Sequence, residues 1–137
     1  MRVFLDANIL FSAAKSDGAV RELIRLLIDE GHECRVDDFV VVEARRNLGA
    51  KGADALGAFE ALLGRLRSGA TQASKPGLEG VEWLAEKDRP VLVSAMRLRC
   101  DVLVTGDRSH FGEGYGKTYG GVTIHSPRSL LNSLWPG

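Results

Sequence analysis

The sequence predicts an α/β protein, a three-layer α/β/α sandwich around a central parallel sheet of four to five strands. Two observations carry this. Short apolar strands alternate with amphipathic helices, and no tight-hairpin signal joins one strand to the next, so the connections must be crossovers. The 137 residues, 45% hydrophobic and 26% charged, also have the length and composition of one globular domain, 1–137. That composition excludes a disordered chain. The longest unbroken aliphatic or aromatic run is Phe39 to Val42, far below the ~18 residues of a membrane span. The apolar N-terminus has Asp6 and Asn8 in its middle, which opposes a signal peptide and reads as a strand with chemistry at its end.

The elements follow in order. Residues 2–5 read as a strand ended by Asp6, with a helix from Asn8 through Ala14. Ser16 or Asp17 is placed to cap the next helix. Its Val20, Leu23, Ile24, Leu27 and Ile28 form one apolar stripe, and Gly31 stops it. Residues 33–36 make a second strand. Asp37 or Asp38 caps a helix through Leu48, ended by Gly49 and Gly52. A further helix is expected from Ala53 to Arg67, with Leu56, Phe59, Leu63 and Leu66 on one face. Residues 69–80 are linker-like, with an edge strand near Ala70 to Ala73. A helix over 90–99 opens at Pro90, where proline is tolerated. Asp101 to Thr105 is the clearest strand, turned by Gly106-Asp107. A glycine-rich loop spans Gly112 to Gly121, then a strand over Val122 to Ile124 and a helix over Pro127 to Leu134.

Eighteen Lys and Arg balance eighteen Asp and Glu, so nothing attracts a polyanion at long range, and a local basic patch would have to do so. Arg45, Arg46, Arg97, Arg99 and Arg108 are its candidates, each equally readable as a solvated helix-face charge. Cys34 and Cys100 have no metal-ligand spacing and read as reduced thiols of a cytoplasmic protein. His32, His110 and His125 show no paired zinc spacing, and no Gly-x-Ser-x-Gly elbow is present.

Ligands of open α/β sheets bind beyond the carboxyl ends of the strands. Asp6 and Asp107 each directly follow an apolar strand, and a polar residue or run follows each: Asn8, then Ser109-His110. One such aspartate reads as a cap or turn residue, whereas two shift the balance towards a site. Glu43 lies inside a helix, readable as an exposed partner of Arg46 or Asn47. Asp88 precedes Arg89-Pro90 and reads as an N-cap, which does not stop its carboxylate from facing a metal.

Taken together, these segments resemble the PIN domain, a family of small metal-dependent ribonucleases. The likeness rests on Val3-Phe4-Leu5-Asp6-Ala7-Asn8, on Val42-Glu43 in the helix after the second strand, and on Lys87-Asp88-Arg89-Pro90 coupled to Val102-Leu103-Val104-Thr105-Gly106-Asp107. The ending Gly121 to Pro127 extends it over nearly the whole chain. The Gly112–Gly121 loop is its least typical part, and Ser94 stands where alanine is commoner in the family. The resemblance implies a PIN-like fold in which Asp6, Glu43, Asp88 and Asp107 form an acidic catalytic and metal-binding cluster. Asn8, Thr105 and Ser109 would support it or touch substrate, or simply cap helices and turns. It implies Mg²⁺ or Mn²⁺, hard cations suited to oxygen ligands, and hydrolysis of RNA phosphodiester bonds, leaving 5′-phosphate and 3′-hydroxyl ends. Many small stand-alone members are the toxin of a toxin–antitoxin pair, which makes an antitoxin protein a possible partner. A homodimer is expected too, because the family often dimerises and the helices at 19–30 and 53–67 carry more apolar stripe than a small sheet covers.

Two other functions compete. A PIN-like module that binds RNA or protein without cutting is opposed by the presence of all four acids. A haloacid-dehalogenase-type phosphatase would need a second aspartate where Asn8 stands. Gly112 to Thr118 nearly spells a phosphate-binding P-loop, but Phe111 occupies the first glycine position and a strand follows instead of a helix. Lys117 with Tyr115 or Tyr119 is placed to touch RNA, or the loop is a plain surface connection. Finally, clustered carboxylates should strain the metal-free fold, and Asp107→Asn is expected to relieve that strain.

Overall fold

The computed structural model describes residues 1–70 and 80–136. Among these residues it contains six strands, β1 (Arg2–Leu5), β2 (Glu33–Asp37), β3 (Arg67–Gly69), β4 (Val102–Val104), β5 (Thr118–Tyr119) and β6 (Val122–His125). Seven α-helices accompany them: α1 (Ala7–Lys15), α2 (Ala19–Asp29), α3 (Asp38–Lys51), α4 (Leu56–Leu63), α5 (Arg89–Arg97), α6 (Arg108–Phe111) and α7 (Pro127–Leu134). The strands form one sheet in the order β3-β2-β1-β4-β6-β5. All neighbours are parallel except β5 and β6.

The chain starts in the middle of the sheet and builds outwards to β2 and β3. It then returns past its starting point to β4 and β6. The direction of building reverses between β1 and β4, and right-handed crossovers in opposite directions put helices on opposite faces. Central strands covered on both faces must be apolar throughout. Val3, Phe4 and Leu5 of β1 and Leu103 and Val104 of β4 are accordingly fully buried. Each such side chain contributes roughly 1.5–3 kcal/mol.

Several boundaries differ from the sequence expectation. The helix expected through Arg67 stops at Leu63, after a 3₁₀ turn at Ala53–Ala55. Arg67 instead pairs with Arg35 as the first residue of β3. The edge strand thus falls before Ala70, and residues 71–73 of the expected strand lie outside the described residues. The glycine-rich loop is more ordered than its composition suggests. It holds the 3₁₀ turn Gly112–Gly114 and the β5–β6 hairpin, which adds the sixth strand. Gly120 and Gly121 close that hairpin with φ of 55° and 85°, the left-handed pair that matches strand twist. Helix α2 is preceded by Gly18, not capped by Ser16 or Asp17, and Asp17 instead lies 3.5 Å from Arg25. Asp37 caps α3 through a bond from the Val40 N–H, and Gly52 rather than Gly49 ends it.

The helical stripes invoked for a dimer are spent inside the chain. Leu23, Ile24 and Leu27 of α2 and Phe59 and Leu62 of α4 are buried in its own core. The large hydrophobics exposed among the described residues are Met1, Phe39, Val42 and Leu131. Cys34 and Cys100 are both buried and unbridged.

Candidate metal centre

The register of β1 on β4 builds the centre of the site. Leu5 lies opposite Val104, so the next residue of each strand, Asp6 and Thr105, meets at the carboxyl edge. The Asp6 N–H donates to the Val104 carbonyl at 3.1 Å. The buried Thr105 hydroxyl donates to Asp6 Oδ2 at 2.8 Å. Asn8, the second residue of α1, donates from Nδ2 to the same oxygen at 3.1 Å, and its Oδ1 accepts the Gly106 N–H at 2.8 Å. Asn8 therefore ties the end of β1 to the turn after β4. Asp6 Oδ1 accepts the Ala7 N–H at 2.7 Å and so begins α1. Capping and site roles coincide in this one carboxylate.

Asp107 is held the same way one strand over. Its Oδ1 accepts the Ser109 hydroxyl at 2.9 Å and the His110 N–H at 3.3 Å, which starts α6. Its Oδ2 faces the His110 ring, whose Nδ1 hydrogen-bonds it. The Asp107 N–H in turn donates to Thr105 Oγ1 at 3.1 Å.

Asp88 does not cap α5 as the sequence suggested. It has a helical backbone (φ −97°, ψ −18°) and no side-chain capping bond. Its carboxylate is left for the site, and buried Oδ2 accepts no hydrogen bond. Glu43 comes from α3, whose direction is fixed by the buried Val40, Ala44 and Leu48 on its other side.

These four acids, from the ends of β1 and β4, the middle of α3 and the entry to α5, line one cavity of about 470 Å³. It opens at the point where strand order reverses, between β1 and β4, the expected ligand position in an open sheet. Asn8 lines it as well. Thr105 and Ser109 are not among its lining residues; buried Thr105 hydrogen-bonds Asp6, and exposed Ser109 hydrogen-bonds Asp107. None of the five arginines singled out from the sequence lines it. Lys87 is the cation among its described lining residues, and Arg45 pairs with Glu60 at 2.9 Å instead. Tyr115 and Tyr119 have structural partners: the Tyr115 hydroxyl donates to the Thr105 carbonyl at 2.8 Å, and Tyr119 stacks on Trp83 at 5.0 Å.

Sequence reasoning missed Asn47, Lys87 and His110. Asn47 follows Glu43 by four residues, a spacing that puts both on one helix face. Lys87 adjoins Asp88 in the motif. His110 carries the plainest signal, three residues after Asp107 at a helix start, although it has no paired zinc spacing.

The electrostatics separate the acids. Burial pushes the Asp6 carboxyl up to about 6, against the lowering bonds from Thr105 and Ala7 and with the help of the Glu43 and Asp107 charges. Asp107 moves the other way. Its partial burial raises it, but the bonds from His110 and Ser109 outweigh this and leave its carboxyl below the usual range. The strain expected of the acidic cluster falls on Asp6, and the Asp107 charge contributes to it. The donor set fits a divalent cation: carboxylate oxygens converge on one cavity, one buried oxygen lacks a partner, and one carboxyl resists ionising without a counter-charge.

The sequence matches no protein-family model and no curated protein sequence. The structure is similar to a chain of the crystal structure of VapBC2 from Rickettsia felis bound to a DNA fragment from their promoter. The two share 16% identity and a TM-score of 0.69, over 92% of this chain and 98% of that one. At that identity the likeness speaks for architecture, and the architecture is PIN-like, as the sequence motifs predict.

Proposed function

We propose that the protein is a metal-dependent endoribonuclease. The observation that carries this reading is the convergence of Asp6, Glu43, Asp88 and Asp107 on one cavity at the switch point of the sheet. Asp6, Glu43, Asp88 and Asp107 would hold Mg²⁺ or Mn²⁺. A cation there supplies a lower pKa for water and a counter-charge for the scissile phosphate. The chain's own residues do the rest. Thr105 and Asn8 hold Asp6 Oδ2 from two sides, which fixes the carboxylate in one orientation. Ser109 and the His110 N–H fix Asp107 Oδ1. Lys87 offers the wall a positive charge for a phosphate oxygen.

The likeness in fold to VapBC2 supports the toxin half of a toxin–antitoxin pair, with an antitoxin protein as partner. A cytoplasmic location fits the buried, unbridged thiols, and no helix among the described residues is long and apolar enough to cross a membrane. A homodimer belongs to the same proposal, with exposed Phe39 and Val42 on α3 as its apolar contact. Light scattering at high concentration tests it, and a monomer mass removes it.

The test of the activity is cleavage of a mixed RNA pool, with Mn²⁺ or with excess EDTA, by the wild type and by Asp6→Asn, Asp88→Asn and Asp107→Asn. Cleavage in Mn²⁺ by the wild type alone supports the proposal. RNA bound but never cut favours the binding module, and cleavage that survives EDTA refutes the metal.

A further inference from the structure

The donor atoms at the site differ in what already holds them, and His110 stands beside the cavity, outside its lining. Asp6 Oδ2 is occupied by Thr105 and Asn8. Asp88, Asp107 and His110 instead bring one donor atom each to within 4.8 Å of one another. His110 Nδ1 lies 3.9 Å from Asp88 Oδ1 and hydrogen-bonds Asp107 Oδ2. Ligand atoms around one divalent ion, at about 2.0–2.2 Å from it, sit roughly 3–4.4 Å apart. The ring and Asp88 already have the spacing of one coordination sphere, and His110 Nδ1 and Asp107 Oδ2, 2.5 Å apart, reach it by opening slightly. Asp107 Oδ1 is anchored by Ser109, which leaves Oδ2 to face the imidazole, and Asp88 has an oxygen with no other partner.

We infer that His110 Nδ1 is a metal ligand alongside Asp88 and Asp107, so that this site prefers first-row transition metals over Mg²⁺. The inference rests on the proposed metal-dependent function and deepens it. With the ring proton on Nε2, the Nδ1 lone pair is available in place of the hydrogen bond. Carboxylates alone suit Mg²⁺, whereas imidazole adds affinity along the series from Mn²⁺ towards Zn²⁺ and little for Mg²⁺.

Two measurements test this without reference to cleavage. Titration calorimetry with Co²⁺ and with Mg²⁺ on the wild type and His110→Gln should show Co²⁺ affinity falling by about 10-fold or more, with Mg²⁺ affinity changing by less than about 3-fold. Pulsed electron paramagnetic resonance of Mn²⁺ bound to the wild type should show directly bonded nitrogen, lost in His110→Gln. The wild-type spectrum needs no variant to fold. Bound Mn²⁺ without nitrogen coupling, or equal loss of both metals in the variant, makes His110 only a hydrogen-bond partner of Asp107 and overturns the inference, while the nuclease proposal stands. If the wild type binds none of the three metals, both fail together.

Discussion

Replacing Asp6 by asparagine should stabilise the metal-free protein at neutral pH, although the residue lies at the heart of the proposed site. Its carboxyl is 5% exposed and raised from 3.8 to about 6. A shift of about 2 units corresponds to about 3 kcal/mol. The sign follows from proton binding. Between pH 3.8 and 6 the folded state holds a proton that the unfolded chain has released, so stability falls as pH rises through that window and stays low above it. Asparagine carries no such penalty. It keeps an oxygen for the Ala7 N–H but sets an amide against Asn8 Nδ2 and Thr105, at a loss of about 1–2 kcal/mol. The net gain at pH 7 is about 1–2 kcal/mol, or roughly 3–10 °C in Tm for a domain of this size. Near pH 4 the penalty on the wild type is gone, and the variant should melt at or below it. Melting curves of both proteins in EDTA from pH 4 to 8 should therefore cross. Differences between the two isolate Asp6 from the other titrating groups. Added Mn²⁺ should raise the wild type more than the variant. A variant that melts lower at pH 7 by a margin independent of pH would mean that Asp6 is an ordinary capping residue and carries no buried charge.

Four further outcomes are expected. Ser94 is fully buried in α5 with an unbonded hydroxyl, so Ser94→Ala should raise stability by about 1 kcal/mol in urea denaturation, and a loss would reveal a hidden partner for the hydroxyl. Arg99 has φ of 57° just after α5, which costs a side chain about 1–2 kcal/mol. Arg99→Gly should therefore raise Tm, measured by circular dichroism. A Cβ on Gly114 would lie 2.5 Å from the Trp83 ring and 3.0 Å from Ile124. Gly114→Ala should cost about 1–3 kcal/mol and change the tryptophan emission, and an unchanged emission spectrum would contradict that packing. Burial pushes the thiols of Cys34 and Cys100 up to about 12 and about 11. Both should ignore a thiol reagent at pH 8 until the protein unfolds, and rapid labelling of the native protein would refute their burial.

The central strands and most helices were legible in the sequence because their signals are local. Val3-Phe4-Leu5 and Val102-Leu103-Val104 are apolar runs that only a strand covered on both faces explains, and α2 has a stripe at helical spacing. The acids Asp6 and Asp107 were legible for the same reason, each following such a run directly. Less legible were elements held by partners distant in the chain. Arg67–Gly69 is a strand because β2 offers it an edge, and no pattern in Arg-Ser-Gly says so. Thr118–Tyr119 is a strand because it folds back on β6. Only the tertiary structure decided what each carboxylate experiences. The sequence predicts strain in the acidic cluster without saying which member bears it: a four-residue helix gives Asp107 a hydroxyl, a backbone N–H and an imidazole, while register buries Asp6 between β1 and β4. Which charge is costly depends on burial and on hydrogen-bond donors brought from across the chain, such as Thr105 to Asp6. The order of residues along the chain fixes where the acids stand on the sheet, and packing sets their protonation.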